Sequence, residues 1–167
     1  MAALGAGEIT HPGGTLLAHL ERVHRLTADW AASPRTRLAA LCHATYGTDG
    51  FARALLPSTD RARLRAVIGE EAEGLVYRYG ACDRAAAAGR WGHDPLPIRD
   101  RFTGVTTELA DGLLGDFAVL TIANELDVVR HGSLPREVVE QIRALLRALA
   151  VHAPDEASVA LGDPALS

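Results

Sequence analysis

Apolar residues recur three and four apart along most of this chain, which is the repeat of a helix and not of a strand. Leu16, His19, Val23, Leu26 and Trp30 share one face of a helix that Thr15 can cap and that runs to about Trp30. Ser33-Pro34 opens a second helix. Its sequence, RLAALCHATY, is apolar on most sides, which predicts a central, buried position ending at Tyr46-Gly47-Thr48. A third helix is expected from Ser58-Thr59-Asp60 to Gly69, and a further helical segment from Glu70 to Asp83. Residues 84–110 break the pattern with Gly89, Gly92, Pro95, Pro97 and Gly104 around a short β-like run, Arg101 to Thr107. They predict an irregular connection with a small hairpin. Helix returns from about Ala110 to Arg130 and from Pro135 to Val151. The expected class is all-α: a bundle of five to six helices with almost no strand.

At 167 residues the chain has the length of one domain. Residues 1–13 read as a flexible, Gly/Ala-rich lead-in, 14–152 as the single domain, and 153–167 as a flexible tail. The net charge of −4 argues against nucleic acid or an anionic membrane as partner. There is no basic segment followed by an apolar run at the start, and no apolar stretch long enough to span a bilayer. The expectation is therefore a soluble, cytoplasmic protein with a small-molecule ligand, with a homo-oligomer left open. All 17 basic residues are arginine, which excludes lysine Schiff-base chemistry and the lysine of a phosphate-binding loop. The same Arg- and Ala-rich composition looks like that of a GC-rich, bacterial genome. Cys42 and Cys82 are too far apart and too few for a disulfide scaffold.

Seven histidines occur. His24, His93, His131 and His152 fall on polar faces, in loops or at helix ends, where solvation or capping accounts for them. His19 and His43 lie on the apolar faces of adjacent helices, where neutral imidazoles can converge on one ion. The turn Tyr46-Gly47-Thr48-Asp49-Gly50 places a phenol, a hydroxyl and backbone N–H groups beside His43, a setting suited to an anion. The expected pocket has walls from Leu38, Leu41 and Val23. Arg84, Arg99 and Arg101 are candidates for recognising a carboxylate or phosphate.

Three segments resemble the HD-domain superfamily. His19-Leu-Glu-Arg22-Val23 resembles its opening His with an Arg-Val pair. Leu38-Ala-Ala-Leu-Cys-His43-Ala44 resembles its "ALLHDIG" helix, with 23 residues between the two histidines, and Leu120-Thr-Ile-Ala123-Asn124-Glu125-Leu126-Asp127 resembles its final "ADRL" helix. More narrowly, His43-Ala-Thr-Tyr46-Gly47-Thr48 is similar to a divergent, uncharacterised HD-like family with an H-x-x-Y-G-T signature. The resemblance implies an HD-like helical bundle in which His19, His43 and the residue at 124 hold a divalent metal used to activate water and bind phosphate. Two acidic positions of that pattern are changed here: Ala44 follows the second histidine, and Asn124 stands where the distal aspartate is expected. Both changes remove negative charge that a hard cation needs. His11, before Gly13-Gly14, is a replacement ligand if its segment folds back onto His19. Glu73, one turn before Val76 and Tyr77, is another if it points inward, and two histidines with one carboxylate form a facial triad of the non-haem iron type.

Two functions follow. One is a metal-dependent enzyme of hydrolase or oxygenase type acting on a small phosphorylated or carboxylated molecule. Manganese, iron, zinc or nickel would sit at His19, His43, Asn124 and His11, with His43, Tyr46 and Glu73 as acid/base groups. The other is a metal-free helical module that kept the fold and binds a ligand or partner.

Overall fold

Thr15 starts the first long helix, its hydroxyl accepting the Ala18 N–H at 3.2 Å. α1 then runs Leu16–Asp29 and buries Leu16, His19, Leu20, Val23 and Thr27. The Ser33 hydroxyl caps α2 (Pro34–Cys42) by accepting the Thr36 N–H at 3.2 Å. α3 (Arg61–Ile68) and α4 (Glu70–Ala81) meet at Gly69, whose φ of +82° is costly for any other residue. α5 (Arg84–Ala87) is a single turn. α6 (Asp111–His131) is the longest helix, followed by α7 (Arg136–Leu149) and the one-turn α8 (Asp155–Ser158). The computed structural model describes residues 1–166.

α6 is the spine. Phe117, Ala118 and Leu120 pack with Val23 of α1, Ala39 and Ala40 of α2, and Leu75 and Val76 of α4. Its other side presents Ile122, Leu126 and Val129 to Ile142 and Leu146 of α7. A helix buried from both sides cannot be amphipathic, which is why residues 117–123 carry no charge.

The chain is mainly α, but not without strand. β1 (Thr10–His11) pairs antiparallel with β2 (Gly14–Thr15), and β3 (Leu96–Arg99) with β4 (Thr106–Leu109), in the register Leu96↔Leu109 and Arg99↔Thr106. The expected β-like run at 101–107 is largely the turn of this second hairpin. Asp100 Oδ1 accepts the N–H of Phe102 at 2.7 Å and of Thr103 at 3.1 Å, and Gly104 takes φ +77°. Among the described residues eight α-helices form where five to six were expected, the two extra ones being the single turns α5 and α8. Residues 1–13 contain two short 3₁₀ turns and β1, and they bury Ala6 and Ile9 beside Leu16, Leu20 and Ala44. Residues 153–166, expected as a tail, bury Ala157, Ala160 and Leu166. Cys42 and Cys82 are buried free thiols. Among the described residues no helix is long and apolar enough to cross a membrane.

Candidate functional site

α1, α2 and α6 converge on one cluster of polar side chains. His19 projects from the buried stripe of α1, and only 1% of it is exposed. His43 caps the C-terminus of α2, where the chain leaves the helix through a turn fixed by Thr45 N–H to Cys42 O at 2.9 Å and by Gly47 at φ +70°. Asn124, Glu125 and Asp127 come from α6.

Both imidazoles are locked in one tautomer. His43 Nδ1 lies 2.8 Å from the Ala40 carbonyl, which can only accept, so Nδ1 carries the proton. His19 Nδ1 donates to Asp127 Oδ2 at 2.7 Å. In neutral rings this leaves lone pairs on both Nε2 atoms, and these face each other at 3.3 Å. The Asn124 amide oxygen, a third acceptor, stands 3.1 Å from His19 Nε2.

The surroundings keep His43 and His11 neutral. Burial lowers the His43 pKa to about 3, and the neighbouring His19 lowers it further in the same direction. Burial and His19 likewise take His11 down to about 4. Burial pushes the Asp127 carboxyl up, but the bonds from His19 and Arg22 outweigh it and hold it at about 2. Arg22 grips both Asp127 oxygens, at 2.7 and 2.8 Å, and also donates to the Pro12 and Gly13 carbonyls. It thereby ties the β1–β2 hairpin down over the site. His11, on that hairpin, stacks on His19 with ring centroids 4.0 Å apart, and its buried Nδ1 has no partner among the described residues.

A cavity of about 280 Å³ opens above this floor. His11, His19, His43 and Asn124 line it together with Thr48, Arg84 and Glu125. Its apolar walls are Leu16, Phe51, Val128 and Leu134, and not the expected Leu38, Leu41 and Val23. Val23 is instead committed to the core with α6, and Leu38 faces outward. Arg84 donates to Glu125 Oε1 through Nη1 and to the Tyr79 hydroxyl through Nη2 at 2.8 Å. Burial opposes its charge, but Tyr79 and Glu125 more than offset this and its pKa is raised. Asn124 Nδ2 donates to the same Glu125 oxygen at 3.0 Å, which orients its own amide oxygen toward His19.

Tyr46 and Glu73 are brought together, but not at this cavity. The Tyr46 hydroxyl donates to Glu73 Oε1 at 3.0 Å, and Arg61 clamps both Glu73 oxygens at 2.7 and 2.8 Å, with Arg65 at 3.4 Å. Burial raises the Glu73 pKa, yet these partners prevail and lower it, so the carboxylate is charged and fully engaged. Glu73 points inward as expected, but an arginine pair completes it rather than the histidines. Glu125 and Asp127 complete the cluster and were not among the expected site residues. Their signal was visible: two carboxylates in the apolar stretch ILE-to-VAL at 122–129 of one helix must each find a partner.

The donor set fits a metal of borderline softness. Two nitrogens bound to one zinc-like ion at about 2.1 Å in a tetrahedron lie about 3.4 Å apart. The observed separation is 3.3 Å. Each ring also hands its other N–H to an oxygen, as metal-binding histidines do. Among the described residues no group of three His, Cys, Asp or Glu is poised on one ion; the third donor here is an amide.

Residues 1–84 match the family described as a domain of unknown function, DUF6817. No curated protein and no solved structure matches the chain.

Proposed function

The chain belongs to the DUF6817 family, and we propose that it is an HD-like helical domain whose histidine cavity is a metal-dependent enzyme site for a small phosphorylated or carboxylated molecule, of hydrolase or oxygenase type. The observation that carries this reading is the convergence of three acceptors, His19 Nε2, His43 Nε2 and Asn124 Oδ1, with no protein hydrogen left to share among them when the rings are neutral. A divalent cation would satisfy all three acceptors at once. His19, His43 and Asn124 would hold a divalent ion, with His11 stacked above them. Neutral ligands suit zinc, nickel or iron better than magnesium or calcium, which depend on carboxylates. When bound, the ion would supply a Lewis acid and lower the pKa of water.

The rest of the chemistry belongs to the chain. Arg84 and the Thr48 hydroxyl offer donors to an anionic substrate. Glu125 spends only Oε1 on Arg84 and Asn124, so Oε2 is available to take a proton from a water or hydroxyl in the cavity. Leu16, Phe51 and Val128 give the cavity apolar walls, and a low-dielectric surround strengthens the charges beside it.

A second reading replaces the ion by a proton. The Asp127 carboxylate, 2.7 Å from His19, can support an imidazolium that donates from Nε2 to Asn124, giving a metal-free binding module. Metal content separates the two. Protein prepared without chelator or histidine tag should carry close to one zinc-class ion per chain. His19→Ala and His43→Ala should lose it while keeping their helical circular dichroism. Absence of metal, with no rise in melting temperature on adding manganese, iron, zinc or nickel, would establish the metal-free module instead.

A further inference from the structure

Arg84 and Glu125 line a second cavity as well as the first. This one is a groove of about 590 Å³ between α5, with the loop behind it, and α7. Ala85, Ala88 and Trp91 form one side, and Ile142, Ala144 and Leu145 the other. Apart from Arg84, Glu125 and Gln141 its lining is apolar. Small residues keep it open: Ala85 and Ala88 line it on one side and Ala144 and Ala148 on the other. The volume falls in the range of small-molecule sites, roughly 300–1,000 Å³.

The two cavities therefore meet at one ion pair, polar on the histidine side and apolar on the α7 side. Arg84 gives one N–H to Glu125 and one to Tyr79, and its other N–H groups have no partner among the described residues. We propose that the groove is the second half of the same site, and that the substrate is an anionic amphiphile. Its phosphate or carboxylate head meets Arg84 and the histidine cluster, and its alkyl or aryl body lies along α7. The sign of the head rests on the metal reading above. Neutral ligands leave an ion's charge uncancelled, while Arg84 and Glu125 balance each other, so the polar half is net positive.

Calorimetric titration of the full chain with octyl phosphate, inorganic phosphate and octanol, with and without zinc, tests the proposal. Octyl phosphate should bind at least tenfold tighter than either control. Ala88→Trp and Ala144→Trp, at exposed positions that line the groove, should remove that margin and leave the affinity for inorganic phosphate within twofold. The proposal fails if octyl phosphate binds no tighter than phosphate, or if the margin survives in both folded tryptophan variants. The zinc arm keeps the two ideas apart. A chain-length margin without zinc binding upholds the groove and overturns the metal reading. Zinc binding without a margin does the reverse.

Discussion

Asp127 does its work at one remove from the cavity. It fixes the His19 tautomer, so that Nε2 rather than Nδ1 faces Asn124 and His43. Asp127→Asn keeps the shape but removes the charge, and its amide can present a donor to Nδ1. On the proposed metal reading, zinc affinity should drop by about 10–100-fold, with the helical spectrum unchanged. Competition with a chromophoric chelator measures this, and an unaltered affinity would assign Asp127 to folding alone. His43 gives a second handle. In the unfolded chain an imidazole titrates near 6.5, and in the fold His43 does so at about 3. Between these values unfolding takes up a proton, so the stability due to neutral His43 is full above 6.5 and is lost as pH falls toward 3. The slope reaches up to about 1.4 kcal/mol per pH unit. Asp127 adds a lower window: its folded value of about 2 against 3.8 gives stability present above 3.8 and lost toward 2. Urea midpoints of metal-free protein should fall from pH 7 to pH 4, and His43→Gln should flatten that fall; an unchanged profile would locate the proton uptake elsewhere. The approach of His19 to His43 was legible because both sit on apolar faces of adjacent helices, whereas Asn124 was singled out only by a resemblance. Glu125 and Arg84 were not paired in advance, since 41 residues separate them and only the fold brings α5 to α6.

Among the elements, α4 sets the height of the turn that carries His43. A Cβ on Gly80 would stand 2.7 Å from the Gly47 carbonyl and 3.6 Å from Tyr46 Cβ, so the helix and the turn are in backbone contact. Gly47 cannot retreat, because its own Cβ position meets the Ala52 carbonyl at 2.9 Å. Gly80→Ala should therefore cost about 1–3 kcal/mol by overpacking, despite the better helix propensity of alanine. It should also weaken zinc binding, because His43 moves with the turn. A stability gain in chemical denaturation would show that the contact yields. The helices themselves were readable from apolar spacing and caps: Thr15 and Ser33 act where their sequence context places them. The hairpin strands were harder to place. Pro95 and Pro97 masked β3, and the β-branched residues near 103–107 drew the expected strand into a turn that Asp100 side-chain bonds define.

Over the whole molecule, the site joins the two halves of the chain. His19 and His43 lie within the residues that match the family, whereas Asn124, Glu125 and Asp127 lie on α6 beyond them. The geometry of the cavity thus depends on how firmly α6 is seated. One side of α6 is held by α1, α2 and α4. The other is held by α7 and by residues 153–166, whose Ala160 and Leu166 pack with Ile122, Leu126 and Val129. Arg130 adds an ion pair to Asp163 at 2.6 Å, but arginine there is more than a third exposed, so apolar contact is the larger contribution. A chain ended at His152 should lose at least about 2 kcal/mol, the burial of Leu166 and its neighbours, and should unfold at lower urea. On the proposed metal reading, zinc affinity per folded molecule should be nearly retained, because Asn124 and Asp127 are held by His19 and Arg22 of α1 and not by the deleted residues. Equilibrium unfolding with and without saturating zinc reads both quantities, since bound zinc raises stability by about 2.7 kcal/mol at a hundredfold excess over Kd. An unchanged urea midpoint would mean that the last fifteen residues are not part of the packed core. A lost zinc increment in a chain that still folds would mean that α6 is positioned from its C-terminal side, and that the cavity depends on contacts far from its own floor.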